Sequence, residues 1–220
     1  MSDIYIDEFI PNFDNAKEII ALKRKDLIRA GLDYNRAGAI YDPNNSKQVY
    51  GQLEKLNKYN KTRRILGAFA CRETQGIIGL MESCNWEESE TGVLFDNIRG
   101  RMKLGTLALC HGRPFVIESL IADENFMINS IIVDKFLNDA TKRSSGKDIY
   151  LTIDKNFDTG ALKTMTEHGF SDAGIDGTLH GISKELYRND SLVRLRNRSG
   201  VRQYGYLDLS ESSNSHTFAH

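Results

Sequence analysis

The sequence predicts an α/β protein with a mixed central sheet flanked by helices on both faces. Three observations predict it. The C-terminal half runs strand, helix, strand, helix, strand, strand, an order that implies helical crossovers. The run "FVIESLIA" (115–122) is apolar nearly throughout, as a strand covered on both faces must be. "RRILGAFACR" and "GIIGLMES" are strand-like and joined by the turn residues "ETQG", which predicts a hairpin.

The elements follow in order. "DIYIDEF" loosely alternates Ile4, Ile6 and Phe9 and reads as a first strand. Asn15 and Glu18 have the spacing of a capping pair. "AKEIIALKRKDLIRAG" then sets Ile19, Ile20, Leu27 and Ile28 near helical spacing, up to a stop at Gly31. After the loop "DPNNS", Val49, Leu53 and Leu56 give "SKQVYGQLEKLNKY" a helical period. Residues 85–113, beyond the hairpin, are read as an insertion. "NWEESETG" is an acidic loop, "VLFDNIRGRMK" fits helix or strand, and "GTLALC" reads as a strand. "HGRP" is a turn, with His111 a surface residue in it.

Ile128, Ile131, Ile132, Phe136 and Ala140 line one face of a helix that "SSG" (144–146) ends. "KDIYLTID" is β-rich. Asp158 or Thr159 caps the short helix "TGALKTMTEH", which Gly169 terminates, and "GFSDAGIDGTLHGISKEL" reads as a terminal hairpin. Residues 1–187 are read as one domain and 188–220 as a basic, hairpin-like extension with a polar tail. Its Arg188, Arg194, Arg196, Arg198 and Arg202, with Tyr204 and Tyr206, suit phosphate, nucleic acid or an acidic partner. A charged edge strand protected against pairing is the simpler reading of the same residues.

Composition narrows the classes. A net charge of −1 provides no whole-molecule field for nucleic acid or anionic membrane. Cys71, Cys84 and Cys110 form no CxxC pair or Cys/His cluster, so they are read as buried, reduced thiols and no metal is expected. No apolar run approaches the ~20 residues that cross a bilayer. "MSDIYIDEFI" is acidic and alternating, unlike a secretory leader, so a cytoplasmic location is expected.

Two stretches carry a family resemblance. "ESLIADENF" resembles the fourth strand and following turn of the GCN5-related N-acetyltransferase (GNAT) superfamily. "DIYLTIDKNFDTGALKTMTEHGF" resembles its fifth strand, Asn, and closing Gly-Phe. The resemblance is clear over 115–170 and compatible in element order with 1–82. It implies a GNAT-like fold and an acyl-CoA-dependent N-acyltransferase, moving an acetyl or other acyl group from acetyl-CoA or another acyl-CoA to a primary amine. The acceptor would be a small-molecule or protein amine, and a homodimer is compatible with it. Glu118 is then the candidate general base, with Glu82 and Asp123 as weaker alternatives. The backbone of Leu120, Ile121 and Ala122 would pair with the pantetheine arm like an added strand. Asn129 and Ser130 would start the helix whose N-terminus takes the pyrophosphate, and Asn156 would contact the cofactor or substrate from the other side.

The sequence departs from the family pattern at two informative places. "MINS" carries none of the glycines of the family's phosphate loop, and Met165 stands where the family often has a Tyr that protonates the leaving thiolate. Two further readings therefore stay open: a non-catalytic GNAT-like binding or assembly module, and a relative acting on tRNA or another acyl carrier.

Overall fold

The computed structural model describes residues 4–59, 63–69, 76–89, 94–122, 126–154 and 157–190. The N-terminal part comprises β1 (Tyr5–Glu8), α1 (Phe13–Arg29), α2 (Tyr34–Ile40), α3 (Ser46–Tyr59), β2 (Arg63–Phe69) and β3 (Ile77–Asn85). A single 3-10 turn (Trp86–Glu88) and α4 (Ile98–His111) follow. The chain continues through β4 (Phe115–Ala122), α5 (Phe126–Arg143), β5 (Ile149–Asp154), α6 (Thr159–Glu167), β6 (Phe170–Leu179) and β7 (Ile182–Asn189). The strands form one sheet in the order β1-β2-β3-β4-β5-β7-β6. Among the described residues only β4 and β5 run parallel; every other neighbouring pair is antiparallel.

Alternation along each strand sorts its side chains between two layers. On one face Leu66, Met81, Ile117, Leu120 and Leu151 pack under α5 and α6, where Phe136, Ile132 and Met165 are fully buried. On the other face, Ile65, Leu80 and Ile121 pack under α1 and α3 through Ile19, Ile20, Val49 and Leu56. That second face continues under α4, where Leu104 and Ala108 meet Cys84, Val116, Tyr150 and Ile175. Each large apolar side chain so buried stabilises the fold by about 1.5–3 kcal/mol.

Local signals set most boundaries. Asn12, not Asn15, caps α1: its Oδ1 accepts from Asn15 N at 2.8 Å, satisfying one of the first-turn donors. Gly31 adopts φ 101°, the left-handed stop that follows a helix. Asp158 caps α6, accepting from Gly160 N and Ala161 N at 2.9 Å each. His180 (φ 55°) and Gly181 (φ 79°) join β6 to β7, with Leu179 opposite Ile182. This is a two-residue hairpin whose twist requires positive φ at both central positions.

Several expectations are corrected. The segment 98–111 is one helix, so "GTLALC" is not a strand. Leu104 and Ala108 are its buried i,i+4 pair, whereas Leu109 is 88% exposed, so burial follows the helical period. Cys84 is buried as expected, but Cys110 is exposed on α4; Cys71 lies outside the described residues. Ile28 and Ile131 sit at the margins of their apolar faces, 36% and 37% exposed. Residues 34–40 form a helix, α2, that the sequence reading passed over; Asp33 caps it through Asn35 N and Arg36 N. β7 runs to Asn189, so a boundary at 187 would cut a strand. Arg188 is thus a β7 residue opposite Tyr150 and 3.9 Å from Asp190. Residues 191–220 of the expected extension, with Arg194, Arg196, Arg198 and Arg202, lie outside the described residues.

Candidate active site

The parallel pair β4–β5 holds together for three positions only: Phe115 with Ile149, Val116 with Tyr150, and Ile117 with Leu151. Beyond these the strands part. β4 stays with β3 as far as the pair Gly79–Ala122, and β5 stays with β7 as far as Asp154–Lys184. Among the described residues, no strand pairs with the facing edges of 119–122 and 152–153, although backbone N–H and C=O groups demand partners. A bulge sits where the parting begins. Glu82 is opposite Ser119 while Ser83 is opposite Ile117, so Glu118 is the extra residue on β4. Such a residue bends its strand and re-aims a side chain. A cavity of about 790 Å³ occupies the gap, lined by Glu118, Leu120 and Ile121 on one edge and Thr152–Asp154 on the other.

Charged side chains meet there from five elements, α1, β3, β4, β5 and β7. Lys23 of α1 lies 2.7 Å from Glu82 of β3. Burial alone would lower the Lys23 pKa, but the Glu82 carboxylate, with Tyr41 and Glu118 adding, carries it above the ordinary lysine value. Lys184 Nζ is 3.7 Å from Asp154 Oδ2 across the β5–β7 register. Glu118 is half-buried and its Oε1 accepts from Cys84 Sγ at 3.3 Å. Burial pushes the Asp26 carboxyl above the usual range, an effect that the hydrogen-bonded Arg29 guanidinium only partly offsets. The same Arg29 donates through Nη1 to Ala122 O at 3.2 Å, at the open end of β4. At the other rim the His180 ring packs edge-on to Tyr41, with centroids 6.1 Å apart, and burial lowers its pKa.

The candidates fall into three groups. Glu118, Leu120 and Ile121 line the cavity together, with Glu82 beside them. Ala122 closes the edge, buried, its carbonyl held by Arg29. Asn129 and Ser130 are not the helix start: α5 begins at Phe126, which places both in its second turn. The unpaired N–H groups of the first turn belong to residues 126–128 instead. Asn129 is 2% exposed, and its Oδ1 has no hydrogen-bond partner among the described residues. Asn156 and Asp123 lie outside the described residues. Met165 is a core residue.

Sequence reading missed Lys23, Asp26, Arg29, Arg101, His180 and Lys184. Only His180 had a local signal, the "LHGI" turn. Among the described residues no group of three or more His, Cys, Asp or Glu could hold a metal ion, and no helix is long and apolar enough to cross a membrane.

No protein-family model matches the chain, and no curated protein matches it in sequence. Solved structures do match. The PaiA N-acetyltransferase of Thermoplasma acidophilum in complex with coenzyme A aligns with a TM-score of 0.53 and 14% identity, covering 86% of this chain and 99% of that one. A GNAT-family acetyltransferase from Streptococcus pneumoniae aligns at 0.51 with 18% identity, covering 84% and 98%. The spermidine N-acetyltransferase of Vibrio cholerae in complex with CoA and spermine aligns at 0.51 with 13% identity, covering 86% and 95%. The chain adopts the GNAT fold. At these identities the likeness is one of architecture.

Proposed function

We propose that this chain is an acyl-CoA-dependent N-acyltransferase that moves an acetyl group to a primary amine. The parting of β4 and β5 after Ile117 and Leu151, over a cavity that both freed edges line, carries the reading. The parted edge suits the amide-bearing arm of coenzyme A, which would add to it like a strand. Leu120 and Ile121 would offer their backbone groups. Ala122 would do so only if Arg29 shares or releases its carbonyl. α5 starts four residues beyond Ala122, so its first-turn N–H groups and dipole would favour the pyrophosphate without any glycine loop. Asn129 and Ser130 would support that turn from within the helix, and Asn156 would approach from the β5 side.

The bound thioester would supply an electrophilic carbonyl and a thiol leaving group. Glu118, re-aimed into the cavity by the bulge, would take one proton from the acceptor ammonium. The freed amine nitrogen attacks the carbonyl carbon, the C–S bond breaks, and a second N–H proton goes to the departing thiolate. No side chain at position 165 assists that last transfer, so holding amine and thioester in register would provide much of the rate.

Calorimetric titration with acetyl-CoA, followed by a CoA-release assay across primary amines, tests the reading. Binding and amine-dependent CoA release support it; no binding at millimolar acetyl-CoA overturns it. The hydrogen bond from Arg29 to Ala122 favours one second reading, a GNAT-like binding module whose cofactor edge is capped by its own side chain.

A further inference from the structure

The segment between β3 and β4 is fastened to the far end of the sheet, beside the cleft. Asp96 N donates to Thr178 O at 2.7 Å, and Thr178 N donates to Asn97 Oδ1 at 2.9 Å. Thr178 Oγ1 completes the clamp by donating to Asp96 Oδ1 at 2.7 Å. Phe95 is fully buried and lies over Gly177, where a Cβ would come within 2.3 Å of its ring. Lys103, 3.1 Å from Asp176, adds a surface tie. α4 therefore starts at a fixed height next to the Leu179–His180 turn that rims the cavity.

The clamp delivers Arg101. Its Nε donates to Phe95 O at 2.8 Å, which fixes the plane of the guanidinium, and the side chain lines the cavity. Among the described residues no carboxylate pairs with it. The other charges around the cavity are largely matched: Lys23 with Glu82, Lys184 with Asp154, and Asp26 with Arg29. The described cavity lining carries the cations Lys23, Lys55, Arg64, Arg101 and Lys184. Against these stand the carboxylates Asp26, Glu82, Glu118 and Asp154. Such a wall offers no surplus of negative charge to a polyamine, whose several ammonium groups would each need a carboxylate. It does offer one anchored, unmatched guanidinium, whose planar fork suits a carboxylate.

We propose that the acceptor is a primary amine that also carries a carboxylate, with Arg101 of α4 holding the carboxylate and the Glu118 edge of the cleft receiving the amine. This rests on the acyltransferase reading for its chemistry but not for its binding. An acid so held is oriented by two charges of opposite sign, and a decarboxylated analogue would lack one anchor.

The test is calorimetric titration of the full chain, without CoA, using three acid–amine pairs: lysine and cadaverine, γ-aminobutyrate and propylamine, β-alanine and ethylamine. The expected result is that at least one acid binds about tenfold or more tightly than its decarboxylated partner, the scale of a charge-assisted hydrogen bond. R101A should abolish that preference while leaving the amine unchanged, and R101K should restore part of it. The proposal is overturned if no acid is preferred, if spermidine binds more tightly than every acid, or if R101A weakens acid and amine equally. Failure of the acetyl-CoA titration alongside a retained acid preference would remove the transferase reading and leave this site standing; the converse result would do the reverse.

Discussion

Lys23 Nζ lies 2.7 Å from Glu82 Oε1, joining the middle of α1 to β3 at the wall of the cleft. Both side chains are largely buried, so neither charge can return to water if its partner is removed. K23M should destabilise the protein by about 3–5 kcal/mol, the scale for an orphaned buried charge, while K23M with E82L should recover most of the loss. Urea unfolding of the three proteins checks this. The raised Lys23 pKa sets a sign as well. Its contribution is fully present below the unfolded lysine value of about 10.4 and is lost as pH rises through the higher folded value. The alkaline stability limb of the wild type should therefore flatten in K23M.

That pair marks the limit of what the sequence makes legible. Apolar runs and turn residues suffice to identify β2–β7, α5 and α6, because local period and local chirality decide them. Glu118 is visible as the single carboxylate in an apolar strand. The bulge beneath it is not, since it depends on pairing with β3. α4 is misread because "GTLALC" alternates over too few residues to separate a strand from a helix whose buried pair is Leu104 and Ala108. Asn129 and Ser130 attract a capping assignment by residue type, although α5 starts three residues earlier. Lys23, Arg29 and Arg101 sit in helices that read as ordinary solvated surface. Their partners are 59, 93 and 6 residues away, and only the folded sheet brings them together at the cleft.

Glu118 supplies the sharpest catalytic prediction. E118Q preserves size and keeps an acceptor for Cys84 Sγ, which donates at 3.3 Å. It removes the proposed proton acceptor, so kcat should fall by about 10²–10⁴ with KM for the amine little changed. Steady-state CoA release over a pH series checks this, and the acidic limb of the rate profile should disappear with the side chain. An equal loss in E82Q, with E118Q unaffected, would move the base to Glu82.

The clamp on α4 can be opened from the β6 side. In G177A the new Cβ would meet Phe95 Cδ1 at 2.3 Å and Asn97 Oδ1 at 2.8 Å. Phe95 is fully buried and has little room to yield, so a cost of about 1–3 kcal/mol is expected, or a drop of several degrees in Tm. Because α4 carries Arg101, the same change should weaken carboxylated amines more than their decarboxylated partners. A thermal melt and the paired titrations read the two effects separately.

His180 is held at φ 55° in the β6–β7 turn, against Tyr41, with Asp96 favouring its charge and Lys184 and Lys23 opposing it. Burial is the largest influence and leaves its pKa below the ordinary 6.5. A histidine depressed in this way keeps its full contribution above the unfolded value. It loses that contribution as pH falls from about 6.5 toward the folded value, because the unfolded chain binds the proton first. Asn tolerates the left-handed backbone, so H180N should keep the turn while deleting the titration. The stability difference between wild type and H180N should shrink on passing from pH 7.5 to pH 5, measured by urea unfolding at each pH. A difference that stays constant across that range would show that the ring enters the cleft as readily charged as neutral.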